Sequence, residues 1–188
     1  MTKIKGLILA GGNATRFGGG DKGLAELAGK SLIAHIIAAL GPLELAISAN
    51  GDPARFGAFG LPVLPDGEFA GCGPLAGIAA GLAWAHDCDA LITVPCDTPY
   101  LPADLATRLL PAPAYAYAAG RDHFLVASWP ITSRAPLLAI LREGGSFKVE
   151  RFTRALAARA VEFAGDGKQF LNINRREDLP DSSVDGLR

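Results

Sequence analysis

Apolar residues fall into short blocks along the chain, separated by glycine, proline and acidic residues. The first block, Ile4 to Ala10, is almost uninterrupted. A run that short, with no polar alternation, reads as a strand covered on both faces, as in a parallel sheet. A glycine-rich loop follows from Gly11 to Gly23. Ser31 to Leu40 predicts a helix with Ser31 as its N-cap and Gly41-Pro42 as its stop. Leu43 to Ser48 predicts a second strand, ending at Asn50-Gly51, and residues 62–65 a brief third. Pro74 to His86 predicts a helix, because proline is tolerated in a first turn. Its small residues (Ala76, Gly77, Ala79, Ala80, Gly81) permit close approach to a sheet. Ala90 to Pro95 is a further apolar strand, and a helix is expected from about Pro102 to Leu110.

After Pro111-Ala112-Pro113 the pattern changes. Two strands, Ala114 to Ala119 and Phe124 to Trp129, are predicted around Gly120-Arg121-Asp122-His123. Helices are expected at residues 134–142 and 147–158, and a last strand at 161–164. A strand-like segment from Phe170 to Asn174 leads into a short terminal helix, and the tail after Leu179 is polar. Strands alternating with helices argue for a layered α/β fold. The 188 residues show no internal repeat and no low-complexity linker, so one domain is the simplest organisation, with 111–165 as an excursion within it.

Composition narrows the function classes. Hydrophobic residues make up 49% and charged residues 20%, a globular balance. No apolar run approaches the roughly 20 residues of a membrane span. The N-terminus enters a strand directly, without a signal peptide's cleavage pattern, so a cytoplasmic location and no membrane partner are expected. A formal net charge of −1 gives no broad positive surface for nucleic acid, yet leaves room for a local basic pocket. The three cysteines, Cys72, Cys88 and Cys96, match no zinc spacing and are odd in number, so they read as small thiols.

Three polar clusters follow predicted strands, where open α/β sheets bind ligands. The first is Leu9-Ala10-Gly11-Gly12-Asn13-Ala14-Thr15-Arg16-Phe17-Gly18-Gly19-Gly20-Asp21-Lys22-Gly23. Its glycines let backbone N–H groups approach an anion, while Arg16 supplies a planar fork of donors and Lys22 a point charge. That combination suits a triphosphate with magnesium. It matches neither the Walker loop nor Gly-x-Gly-x-x-Gly. The second cluster is Asp97, which suits a magnesium ion holding waters and phosphates as its other ligands, or else a turn before Pro99. The third is Asn50 with Asp66, which suit guanine or ribose recognition or are plain turn residues. Asn172 and Asn174 share one face of their strand-like segment, fit to orient phosphate or metal-bound water, or to bond a sheet edge. His123 lies between two predicted strands; His35 and His86 read as packing or helix-end residues.

Together these motifs resemble the molybdenum cofactor guanylyltransferase (MobA) family. The loop from Leu9 to Leu24 carries the resemblance first, with Phe17 where the family has Met. It continues in Ser48-Ala49-Asn50, Pro65-Asp66, Gly73-Pro74-Leu75-Ala76-Gly77-Ile78, Pro95-Cys96-Asp97-Thr98-Pro99, Asn172-Ile173-Asn174 and Glu177-Asp178-Leu179. It implies a three-layer Rossmann-like nucleotidyltransferase fold with a mostly parallel central sheet. It also implies transfer of GMP from GTP to the terminal phosphate of molybdopterin, with Mg2+ as cofactor and molybdoenzymes or their chaperones as recipients. Carried over by position, Leu9, Ala10, Gly11, Gly12, Lys22, Asn50, Asp66 and Asp97 bind GTP. Asp97 also holds the metal, Asp97, Lys22 and Arg16 are catalytic, and Asn172 and Asn174 face molybdopterin. The N-terminal half is then the GTP side and the C-terminal half the acceptor side. Two departures fall on that acceptor side: Arg175-Arg176 where the family has Thr-Pro, and His123-Phe124 where it has His-Pro.

A cytidylyl or sugar-phosphate nucleotidyltransferase and a non-catalytic cofactor carrier remain as rivals. An NAD-type oxidoreductase fails on loop spacing, and on Asn50 standing where an acidic residue is needed.

Overall fold

The computed structural model describes residues 2–11 and 21–173. Gly12, Arg16, Asn174, Arg175, Arg176 and the predicted terminal helix lie outside the described residues. Strand β1 (Ile4–Leu9) leads to the glycine loop. A small hairpin of β2 (Glu26–Leu27) and β3 (Lys30–Ser31) then enters α1 (Leu32–Leu40). Ser31 caps α1 as predicted, its hydroxyl accepting from the Ala34 N–H at 3.2 Å. The chain continues through β4 (Glu44–Ser48), β5 (Val63–Leu64), α2 (Pro74–Trp84) and β6 (Ala90–Pro95). The far half comprises α3 (Leu105–Arg108), β7 (Ala114–Ala118), β8 (Arg121–Pro130), α4 (Arg134–Glu143), α5 (Val149–Ala155) and β9 (Arg159–Glu162).

The seven-stranded sheet has the order β5-β4-β1-β6-β8-β7-β9. Pairings β4–β5, β1–β4, β1–β6 and β7–β9 are parallel, and β8 opposes both its neighbours. Alternation along β1 sends Ile8 into a core shared with α1 and α3, and Leu7 and Leu9 into a second core under α2, α4 and α5. That is the three-layer, mostly parallel α/β sandwich expected from the sequence.

Helix α2 lies close on the sheet through its glycines. A Cβ at Gly81 would stand 2.5 Å from Leu7 Cδ2 and 2.8 Å from Leu91 Cδ2, and one at Gly77 would overlap Ser48 Oγ. Gly77→Ala should therefore destabilise the fold by about 1–3 kcal/mol through overpacking, outweighing alanine's gain in helix propensity of about 1 kcal/mol. A denaturant titration reads this directly; an unchanged or raised midpoint would contradict the close approach of α2 to β4.

Four expectations change. The segment 111–165 is not an excursion: β7, β8 and β9 extend the same sheet through the β6–β8 pairing. Strand β8 begins at Arg121, because Ala119 (φ 48°) and Gly120 (φ 76°) form a tight two-residue turn, so His123 pairs opposite Ala116 within the ladder. Helix α3 is a single turn. Its start is a turn bond from Leu105 N–H to Pro102 O, and Leu110, preceding a proline, is disfavoured in helix. Residues 171–173 are irregular rather than strand, since the Ile173 N–H donates to the Asp97 carbonyl at 2.8 Å instead of to a ladder. Among the described residues, no helix is long and apolar enough to cross a membrane.

Candidate active site

Strands β5, β4, β1 and β6 run side by side in one direction, so their carboxyl ends share an edge. Backbone bonds hold the exits together: Ala10 N–H to Ser48 O at 2.9 Å, Ala49 N–H to Leu64 O at 3.1 Å, and Cys96 N–H to Leu9 O at 3.0 Å. Parallel topology thus gathers Ala10-Gly11, Asn50, Asp66 and Asp97, which are far apart in the chain. Leu9 is a core side chain, so it reaches this edge only through its backbone. Gly11 is exposed, and none of the described residues comes within 4 Å of where its side chain would project.

Lys22 opens a short 3-10 turn (Lys22–Leu24) whose Gly23 is buried, where a Cβ would lie 2.7 Å from Ile33 Cδ1. From there the Lys22 ammonium pairs with Asp97 Oδ2. The other Asp97 oxygen, Oδ1, is buried with no hydrogen-bond partner among the described residues. Leaving such an acceptor unsatisfied costs roughly 1–3 kcal/mol, so its retention points to a ligand. A hard divalent cation fits that oxygen. Among the described residues no group of three or more His, Cys, Asp or Glu side chains is arranged to hold a metal ion. Magnesium needs no such cage, being held by one or two carboxylates with waters and phosphates.

Asn50 and Asp66 grip one another: Asn50 Nδ2 donates to Asp66 Oδ2 at 2.6 Å, and the Asp66 N–H donates to Asn50 Oδ1 at 2.9 Å. This reciprocal pair fixes both side chains at the shared edge. Arg55, which the sequence pattern did not single out, joins the pair to the glycine loop. Its Nε lies 3.1 Å from Asp21 Oδ2, and its Nη2 donates to the Asn50 carbonyl. The residue sits in a 3-10 turn, Pro53–Phe59; an arginine five residues after Asn50 was the one available signal.

Beside this edge lies a cavity of about 550 Å3. Its wall includes Pro95 and Thr98, which bracket Asp97 by sequence, together with His123, Phe124, Lys148 and Asn172. Asn172 is exposed there, one residue before the backbone bond to Asp97. His123 packs against Phe170 with ring centroids 4.9 Å apart. Burial, and then the Arg121 charge, lower the His123 pKa below its usual value, against an opposing pull from Asp122, so the ring is neutral at pH 7. Burial and the Asp97 charge push the Cys96 thiol up to about 12, so it stays protonated and is no nucleophile. His35 bonds the Leu27 carbonyl at 2.8 Å and His86 is exposed beyond α2, both away from the chemistry.

Residues 6–161 match the family model described as the MobA-like NTP transferase domain. The chain is 45% identical over 180 residues to the molybdenum cofactor guanylyltransferase of Acidiphilium cryptum (strain JF-5), covering 94% of this chain and 92% of that protein. Its fold is similar to the crystal structure of molybdopterin-guanine dinucleotide biosynthesis protein A from Archaeoglobus fulgidus. That match has a TM-score of 0.69 and 18% identity, over 93% of this chain and 94% of that one. The fold is also similar to 2-C-methyl-D-erythritol 4-phosphate cytidylyltransferase from Thermus thermophilus. There the TM-score is 0.63 and the identity 16%, over 94% and 95% of the two chains.

Proposed function

The chain belongs to the MobA-like NTP transferase family, and from that footing we propose that it transfers GMP from GTP to the terminal phosphate of molybdopterin, releasing pyrophosphate. The observation that carries this reading is Asp97. It pairs with the loop lysine on one oxygen, has no hydrogen-bond partner for the other among the described residues, and is bracketed by residues that line a cavity of about 550 Å3.

The reaction needs no covalent enzyme intermediate. A terminal phosphate oxygen of the acceptor bonds to the α-phosphorus of GTP, the bond from that phosphorus to the β-bridging oxygen breaks, and pyrophosphate departs with the electron pair. Positioning and charge stabilisation supply most of the catalysis in such transfers. The backbone after β1 and the Lys22 ammonium oppose charge on the departing pyrophosphate, and Arg16 is assigned the same task. Asn50 and Asp66 hold the nucleoside, with the Asp66 carboxylate accepting from a base or ribose donor. Asn172, with Asn174, orients the acceptor, and Lys148 in the cavity wall offers a cation to its phosphate. Asp97 would hold Mg2+, which when bound neutralises phosphate charge and activates the α-phosphorus to attack. A dinucleotide cofactor made this way has molybdoenzymes or their chaperones as its recipients.

The fold shared with a cytidylyltransferase does not choose the base, so the test is competition. With molybdopterin and magnesium, GTP should be preferred over CTP, UTP and ATP by at least about a hundredfold in kcat/KM, within reach of a site built to hydrogen-bond its substrate. Pyrophosphate should appear in equal amount with the dinucleotide. Preference for CTP would overturn the choice of base, and binding without pyrophosphate release would leave a carrier.

A further inference from the structure

The polar side chains along the nucleotide edge form one connected series. Asp66 and Asn50 hold each other, Arg55 Nη2 donates to the Asn50 carbonyl, and Arg55 Nε pairs with Asp21. Asp21 precedes Lys22, which pairs with Asp97. We infer that Arg55 is a positioning residue for GTP, clamping the exit of the glycine loop to the nucleoside-binding pair and neutralising the Asp21 carboxylate beside the incoming triphosphate. This rests on the reading of the edge as the GTP site.

Several features hold Arg55 in that role. Its turn, Pro53–Phe59, begins with Pro53 and is capped by Asp52, whose carboxylate accepts from the Ala54 N–H at 2.9 Å. The guanidinium lies 5.0 Å from the ring centroid of the buried Phe56. Gly51 is left-handed (φ +86°), a backbone conformation that side chains rarely adopt, and the Arg55 guanidinium lies beside it, 3.5 Å from where a Cβ would stand. Asp21 does not cap the Lys22–Leu24 turn, and its carboxylate goes to Arg55 instead. An unneutralised carboxylate next to Lys22 would repel a triphosphate, which gives the inference a definite sign.

The test compares wild type with R55Q, R55K, D21N and the double variant R55Q/D21N. GTP affinity is read by calorimetry with magnesium, alongside kcat, both KM values and thermal midpoints. R55Q should raise Kd and KM for GTP about tenfold. Its kcat should stay within about twofold, with the acceptor KM unchanged, as expected for lost binding shared by ground and transition states. R55K, keeping the charge without the fork, should fall between wild type and R55Q. Adding D21N to R55Q should restore much of the lost affinity, because the repelling charge is gone. The inference is overturned if R55Q binds GTP like wild type, whatever its midpoint, or if D21N worsens R55Q. If wild type itself shows no GTP binding, the functional reading fails and this inference falls with it.

Discussion

Replacing Asp97 by asparagine is expected to lower kcat/KM by at least about a thousandfold while leaving the protein folded, a loss equivalent to about 4 kcal/mol of transition-state stabilisation. Asparagine matches the carboxylate in size, so packing around the turn after β6 is kept while the charge that would hold magnesium is lost. Catalysis and stability should part company here. Asp97 Oδ1 is buried without a partner among the described residues, so the native carboxylate weakens the substrate-free fold at that point. Asparagine puts a neutral polar atom there in place of a charged one, which offsets part of the loss of the partly buried pair with Lys22, and the thermal midpoint should move by no more than about 4 °C. A folded D97N enzyme with wild-type turnover in GTP and magnesium would remove Asp97 from the site. A collapse of the midpoint would make it a structural residue instead.

Lys22→Ala should lower kcat/KM by about a hundredfold, with the loss divided between a higher KM for GTP and a lower kcat. The ammonium is held at the edge by its pair with Asp97, where it can serve phosphates both before and during bond breaking. Arginine at this position should recover little, since its planar fork is larger and differently directed than a point charge. Steady-state kinetics against GTP at saturating acceptor checks both statements. If kcat and KM are both unchanged in the alanine variant, Lys22 takes no part in binding or chemistry.

Much of this was legible in the chain. Nearly all-apolar runs such as Ile4 to Leu9 and Ala90 to Pro95, broken only by Lys5 and Thr93, announce strands buried on both faces, because water-facing strands would alternate. Ser31 and Gly41 mark the ends of α1 by chemistry that acts within a few residues. Small residues in α2 foretell its close approach to the sheet. Asp97 stands out only beside the glycine loop, because a carboxylate directly after a buried strand is by itself also an ordinary turn residue before Pro99. The boundaries that changed, at β8, α3 and residues 171–173, were set by a turn conformation, a neighbouring proline and a backbone bond to a distant loop. None of these shows in periodicity.

The sequence by itself determined the layered α/β class, the two-faced burial of the central strands, the glycine loop with its lysine, and the motif set that marks the family. These follow from local rules: side-chain period, glycine's freedom at turns, and residue types in fixed order. Tertiary structure alone decided that Lys22 meets Asp97 across 75 residues, that one oxygen of Asp97 is left without a hydrogen-bond partner among the described residues, and that Arg55 ties Asp21 to Asn50. It also decided that β8 runs against its neighbours, which carries His123 past the end of β6 to the wall of the cavity. The physical reason is that these contacts depend on which strands lie side by side and in which direction. That arrangement is chosen by the packing of the whole sheet between its two helical layers, and no short stretch of chain encodes it.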